Sequence, residues 1–412
     1  MHRVLVAGAA WLLACTLAAC GERTRPPARP TPAQLAALPW DSVLARARGT
    51  EVTWVMWRGD PSVNRFVDAW VAPRLKARHG ITLRPVGGQG AELVNRLVVE
   101  REAGRDPGTA SLLWINGEAF ANLRRADLLY GPWSARLPNA AYVDSASPIV
   151  ARDFEQDPAG YESPWGTVQF ALIHDTVRTP APPRSYAELA AWIRAHPGRF
   201  VHDQGFAGLT FLKGLMYARA GGVRRFQGGF REPDYAAGRD AVLTWLDSTR
   251  GAFWRGGATY PEGVAELHRL FANGEVDFTM SNNQNDVVTK VRQGVLPPTA
   301  RAFLLRDGTI ANTHFLGIPA NAPNPAGALV VADFLLSPEA QLEKQKPEVW
   351  ADGTVLARTR LPAAWRARFD SVARAANAIP AESLAAYARP EVDPRYSERL
   401  LADWRARVRE RR

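Results

Sequence analysis

The sequence predicts an α/β protein built as two lobes, and three observations predict it. Apolar runs with strand patterning alternate with helical patterns between residues 51 and 115, the rhythm of a parallel sheet wrapped by helices. A second set of the same kind begins near residue 165. The chain of 412 residues is also longer than one hydrophobic core organises, since single cores stop growing at roughly 250 to 300 residues.

A short first helix is expected over 41–48, ended by Gly49, and the alternating run that follows places a strand at 52–57. Next come a helix over 63–79 closed by Gly80, a strand over 82–86, a helix over 91–103 closed by Gly104, and a strand over 111–115. The apolar run 165–175 reads as one further strand, with helices after it over 186–195, 210–220, 239–247 and 261–273. A buried strand is expected over 276–281, a short one over 315–319, and a helix over 326–336 that stops before Pro338. From Pro362 onward helical patterns are broken by Pro380, Pro390 and Pro394, and the chain finishes in an Arg-rich amphipathic helix carrying Trp404. That helix is expected to dock as packing rather than lie on a membrane.

The N-terminus has the order of parts of a secretory leader: His2 and Arg3, an apolar stretch over 4–13, then Leu17-Ala18-Ala19-Cys20-Gly21. Small residues followed by a cysteine form a lipobox, so residues 1–19 are expected to be removed and Cys20 to carry a lipid. The apolar run falls short of the roughly 18 to 20 residues that span a bilayer. The two cysteines are Cys15 and Cys20, so the mature chain has no disulfide and must rely on its core. Residues 20–40, rich in Pro and Arg at their start, are expected as a flexible tether.

The net charge of +10 could suggest nucleic acid or an anionic membrane, but its location argues otherwise. The two ends of the chain, 22–48 and 399–412, hold most of the excess, and the body between them is nearly balanced. Arg also outnumbers Lys 46 to 5 throughout, a compositional habit more than a phosphate-binding surface. No nucleic-acid partner is expected.

Enzyme signatures are absent from the sequence: there is no G-x-S-x-G elbow, no P-loop, and the seven His have neither H-x-x-x-H spacing nor Cys partners. No metal or cofactor is expected. Gly87-Gly88-Gln89-Gly90 follows a strand and precedes a helix, but lacks dinucleotide spacing and reads first as a turn. More informative are four polar and aromatic clusters at the ends of expected strands, because open parallel sheets bind ligands outside those carboxyl ends. They are Trp57-Arg58-Gly59-Asp60, Trp114-Ile115-Asn116-Gly117-Glu118, Ser163-Pro164-Trp165-Gly166 with Gln169, and Ser281-Asn282-Asn283-Gln284-Asn285-Asp286. Any one of these is accounted for as helix capping. The unbroken polar run from Ser281 to Asp286 exceeds what one cap needs, and the four together point to a ligand cleft.

At these residues the chain resembles a known family. Trp114-Ile115-Asn116-Gly117-Glu118, then Leu129-Tyr130-Gly131-Pro132, Pro164-Trp165-Gly166, and Phe66-Val67-Asp68 with Ala72-Pro73 resemble the YnjB-like extracellular solute-binding proteins of ABC importers, over about residues 52–339. The resemblance implies a type II periplasmic-binding-protein fold: two α/β lobes with a hinge, closing on a solute in an interlobe cleft. It places the first crossover near 162–165 and the return near 311–314. Lobe 1 would then comprise 41–164 and 312–345 and lobe 2 residues 165–311, with 346–412 as C-terminal helices packing on both. Implied partners are a small-molecule solute, a permease with its ATPase, and a membrane reached through the Cys20 lipid. A monomer in the periplasm is expected, with no catalytic residues.

The candidate ligand-binding residues are Trp57, Arg58, Asp60, Asn116, Glu118, Trp165, Gln169, Ser281, Asn282 and Asn283. Ring faces and carboxylates favour an organic cation of thiamine or polyamine type. Arg58 and the Gly88 to Gly90 amides, if they face the cleft, favour an anion such as sulfate. An exported hydrolase using Asp60 and Glu118, or a ligand-sensing partner of a signalling receptor, are the other classes considered.

Overall fold

The alternation between residues 51 and 115 folds into strands β1 (Glu51–Met56), β2 (Thr82–Gly87) and β3 (Leu112–Ile115), parallel to one another in the order β2-β1-β3. This is read from a computed structural model that describes residues 29–372 and 379–409, so the leader and Cys20 lie outside the described residues. Strand β4 (Glu162–Gln169) and strand β8 (Thr309–Gly317) complete the sheet as β2-β1-β3-β8-β4, with β8 antiparallel to both neighbours. The two-residue β9 (Ala388–Arg389) adds to the start of β8.

Each face of this sheet is covered, which is why β1 reads as almost continuously apolar. Val52, Trp54 and Met56 pack in one core with Leu112, Leu316 and the helix Pro325–Leu336, whereas Val55, Leu113, Ile115 and Phe315 pack in another with Leu93, Leu97 and Phe120. The residues of one strand thus split between two layers by simple alternation.

A second sheet, β6-β5-β7, is antiparallel and formed by β5 (Ala171–Asp175), β6 (Phe278–Ser281) and β7 (Ala300–Phe303). Its helices are Tyr186–Ala195, Phe206–Arg219, Glu232–Thr249 and Val264–Ala272. The helix Phe206–Arg219 is buried along Ala207 to Tyr217, apolar all round as a core helix should be. The two sheets with their helices are the two lobes of the type II fold. No helix among the described residues is long and apolar enough to cross a membrane.

Three details differ from the sequence expectation. The run 165–175 is not one strand but the end of β4 and all of β5, in different lobes, broken at Phe170. Both strands are buried, so apolar periodicity carries no mark of the change of sheet. The chain therefore passes between sheets at Phe170 and returns through residues 304–308, while 162–165 and 311–314 lie within β4 and β8. The crossings lie side by side, Phe170 N–H donating to the Ile310 carbonyl at 2.8 Å.

The expected helix 63–79 is continuous but widened: helices Pro61–Arg65 and Ala72–His79 are joined by a π-turn over Phe66–Val71. Pro73 has no N–H to give and its ring would crowd the carbonyl four residues back, at Ala69, which a wider turn relieves. Residues 29–40 are docked rather than free. Thr31 and Gln34 cap the helix Pro32–Ala36 reciprocally, Leu35 is buried in the core of the first lobe, and Arg29 pairs with Asp106 at 2.6 Å. Apolar Leu35, Leu38 and Trp40 at the end of an otherwise polar stretch are the physical reason. Of the tail, Trp350, Val355, Leu356, Leu361 and Phe369 join the first lobe's core, and Val392, Tyr396, Leu400 and Trp404 join the second's.

Candidate functional site

The ends of β1 and β3, the β4–β8 crossing and the loop after β6 meet where the lobes face each other, and the lobes touch there through named pairs. Asp60, just after β1, caps its helix by accepting from Ser62 N–H at 2.7 Å and holds Lys290 of the second lobe at 2.7 Å. Lys290 is also 3.7 Å from Asp286, which reaches His268 Nε2 at 3.2 Å, and His268 Nδ1 meets the Thr279 hydroxyl at 2.8 Å. Burial pushes the Asp286 carboxyl up, but the bond to His268 and the charge of Lys290 hold it below the usual carboxylate range. Gln293 donates to Ser62 at 2.7 Å beside this chain, and Asn285 donates to the Ala351 carbonyl at 3.2 Å.

Behind it stands a wall of rings. Trp114 lies edge-on to Trp57 at 6.5 Å and to Trp165 at 4.7 Å, and Trp165 also meets Trp54, His314 and Trp350 at 5.4, 5.3 and 5.4 Å. Such edge-to-face spacing is what the ring quadrupoles prefer. His314 Nε2 is 3.1 Å from Asp352, whose other partner is Lys344 at 2.6 Å. Burial raises the Asp352 carboxyl, and Lys344 and His314 more than offset it. Gly166 makes this approach possible, since a Cβ there would lie 2.0 Å from His314 Nε2 and 2.3 Å from Asp352.

A third cluster is acidic. Glu118 opens the helix Glu118–Arg125, and its Oε1 is sealed from solvent with no hydrogen-bond partner although the residue as a whole is half-buried. Asp153 accepts from Gly117 N–H at 2.7 Å through one oxygen and leaves the other unpaired, and both oxygens of Glu162 are buried and unpaired. Gly117 has φ +52° and a Cβ there would lie 2.9 Å from the Phe154 ring, so glycine is what lets this loop close. Burial drives all three carboxyls up; the charge of Glu118 adds to the rise at Asp153, and that of Asp153 to the rise at Glu162, against Lys213 and Arg124. Lys213 comes from the middle of the buried helix Phe206–Arg219, is 0 % exposed, and is paired with Glu391 at 2.5 Å.

Of the candidate residues, Trp57, Asn116, Glu118 and Asn282 are half-buried, and neither Asn116 nor Asn282 makes a side-chain hydrogen bond among the described residues. Others are committed within the protein. Arg58 forms a two-pronged pair with Asp68, at 2.9 and 2.7 Å. Trp165 is fully buried. The Gln169 N–H donates to Gln284 and its side-chain amide donates to Thr309 and to the Leu384 carbonyl, tying the crossing strands to the tail. Ser281 accepts from Asn283 N–H, and Asn283 accepts from Asn285 N–H. Gly88 N–H donates to the Met56 carbonyl, and Gln89 and Gly90 are exposed.

Asp153, Lys213, Lys290, His314, Lys344 and Asp352 were not singled out from sequence. One signal was available: in a chain with five lysines, Lys213 interrupts an apolar helix and Lys290 sits four residues after Asp286. Among the described residues, no group of three or more His, Cys, Asp or Glu is arranged to hold a metal ion.

Residues 70–367 match the family described as bacterial extracellular solute-binding protein. Protein YnjB of Escherichia coli (strain K12) is 36% identical over 327 residues, 78% of this chain and 84% of that one. Among solved structures, the periplasmic binding protein AfuA of Actinobacillus pleuropneumoniae, with fructose-6-phosphate bound, superposes with TM-score 0.62 at 12% identity, covering 87% of this chain and 99% of that one. The spermidine/putrescine ABC transporter substrate-binding protein PotD of Streptococcus pneumoniae gives TM-score 0.61 at 12% identity, covering 88% and 99%. At such identities these two establish the fold and say nothing of the solute. The two lobes, the polar and aromatic residues gathered between them and the match over most of the chain agree, and the protein belongs to the bacterial extracellular solute-binding proteins.

Proposed function

We propose that this protein is the receptor of an ABC importer, that it captures a small organic cation between its lobes, and that it hands the solute to a permease whose ATPase drives uptake. Three carboxyls, Glu118, Asp153 and Glu162, carry the choice of a cation: Glu118 Oε1, Asp153 Oδ1 and both oxygens of Glu162 are sealed from solvent without hydrogen-bond partners, and the ammonium beside them, Lys213, is already paired with Glu391. An unpaired buried carboxylate is costly, so positive charge is what this region lacks. The ring faces of Trp57 and Trp114 favour the same sign, and the amides of Asn116 and Asn282 remain to orient the solute. A sulfate-like ligand would need Arg58, which Asp68 occupies.

No bond chemistry is involved. Contacts from both lobes favour the closed form, which is the form a permease recognises. Lipidation of Cys20 would hold a monomeric receptor at the membrane on the outer side of the cytoplasmic permeability barrier.

The sign of the pH dependence follows from the raised carboxyls. Their contribution to the stability of the unliganded protein is fully present below their unfolded values, about 4, and is lost as pH rises through the raised folded values. A bound cation favours the ionised forms, so capture should release protons and tighten as pH rises through the same window. Calorimetric titration with thiamine, spermidine and sulfate, repeated in buffers of different ionisation enthalpy, measures both. Binding of a cation with proton release is expected; binding of sulfate alone, or cation binding with no proton released, contradicts the proposal.

A further inference from the structure

Outside the cleft, a cavity of about 490 Å³ opens behind the hinge, between β7, the returning crossover and the helix Ala381–Tyr387. Three guanidiniums line it: Arg184, Arg301 and Arg306. Arg306 pairs with Glu188, which also accepts from Arg184 N–H at 2.7 Å. Neither Arg184 nor Arg301 has a carboxylate partner among the described residues; Arg301 donates to the carbonyls of Pro298 and Ala300 at 2.8 and 2.7 Å, and the Arg184 guanidinium stands 5.6 Å over the Phe303 ring.

The rest of the wall is apolar or hydroxylic: Phe303, Leu304, Pro380, Ser383 and Tyr387. His174 stands edge-on to Phe303 at 5.3 Å; burial holds its ring below the usual histidine value and the charges of Arg184 and Arg301 add to this, against the bond to the Thr179 carbonyl and the charge of Asp175. The volume lies in the range of small-molecule sites. Guanidiniums without carboxylates recognise phosphate or carboxylate groups in two-pronged fashion.

We propose that this hinge cavity binds a small organic anion, with a phosphate or carboxylate head held by Arg184 and Arg301 and an apolar body against Phe303 and Tyr387, at a site separate from the interlobe solute. Its walls come from the second lobe, the crossover and a tail helix whose Leu384 carbonyl is bonded to Gln169 of β4, so an occupant would brace the segments about which the lobes turn.

The test is calorimetric titration of the full chain with phenyl phosphate at low ionic strength, with inorganic phosphate as the head alone. One site per chain is expected, weaker for inorganic phosphate and weakened by added salt. In Arg184→Gln/Arg301→Gln the affinity should fall about tenfold or more, the loss of a charge-assisted bond. Ser383→Trp, which fills the cavity while leaving all three arginines in the chain, should abolish binding while the thermal transition stays in place. No saturable binding of phenyl phosphate by the native chain, binding unchanged in both variants, or inorganic phosphate binding as tightly as phenyl phosphate would overturn the proposal.

Discussion

Replacing Asp60 by asparagine is expected to open the receptor. The substitution keeps the oxygen that caps the helix at Ser62 but removes the charge that meets Lys290 at 2.7 Å across the lobes. Lys290 is 6 % exposed, and its remaining carboxylate, Asp286, stands farther off at 3.7 Å and is already bonded to His268. Removing one partner of a buried ion pair costs about 3–5 kcal/mol. Opening the lobes hydrates Lys290 and relieves that cost, so the penalty falls on the closed form. A bias of about 3 kcal/mol moves the open–closed balance by more than a hundredfold, and affinity falls with the closed population. Small-angle scattering should show a larger radius of gyration for Asp60→Asn, with or without solute. In Asp60→Asn/Lys290→Met/Asp286→Asn, where the helix cap is kept and none of the three charges remains, closure should recover much of its strength. An Asp60→Asn protein as compact as the native one would mean that the pair does not hold the lobes.

Trp165→Ala is expected to be the most damaging single change to stability. The ring is fully buried and touches Trp54, Trp114, His314 and Trp350, so its removal leaves a void at the back of the cleft that four rigid rings cannot fill. Truncations of this kind cost about 3–5 kcal/mol, which a denaturant titration would read as a lowered midpoint. Trp165→Phe should lose much less. Because Trp165 supports the wall instead of facing solute, its effect on affinity should run through Trp114, and a stable Trp165→Ala protein with full affinity would contradict that placement.

How much of this was legible in the sequence depended on how local the cause was. Strands β1 to β3 showed because both faces of their sheet are covered and glycines close the helices between them. That Trp57, Asn116, Glu118 and Asn282 lie at or just past strand ends was legible because polar residues gather where a strand ends. The change of lobe at Phe170 was hidden, since β4 and β5 are equally buried and their residues follow one another without a turn signal. The pairing of Arg58 with Asp68 was hidden, because Asp68 is one of many acids within reach of an arginine. The pairings that join the lobes were out of reach altogether: Asp60 and Lys290 are 230 residues apart and Lys213 and Glu391 are 178 apart, and one sequence carries no sign of such contacts. The rarity of lysine was the nearest hint. Lys213, Lys290 and Lys344 are all buried against carboxylates, whereas the abundant arginines lie mostly at the surface.

Native mass spectrometry of the purified protein tests the central claim most directly, because a receptor that closes on its solute carries it through purification. A bound organic cation is expected on the native chain, and Glu118→Gln, which removes one carboxyl of the acidic cluster without changing its shape, should lose it. An anion in its place, or a cation retained undiminished by Glu118→Gln, would contradict the assignment of the solute to the carboxyls of the interlobe cleft.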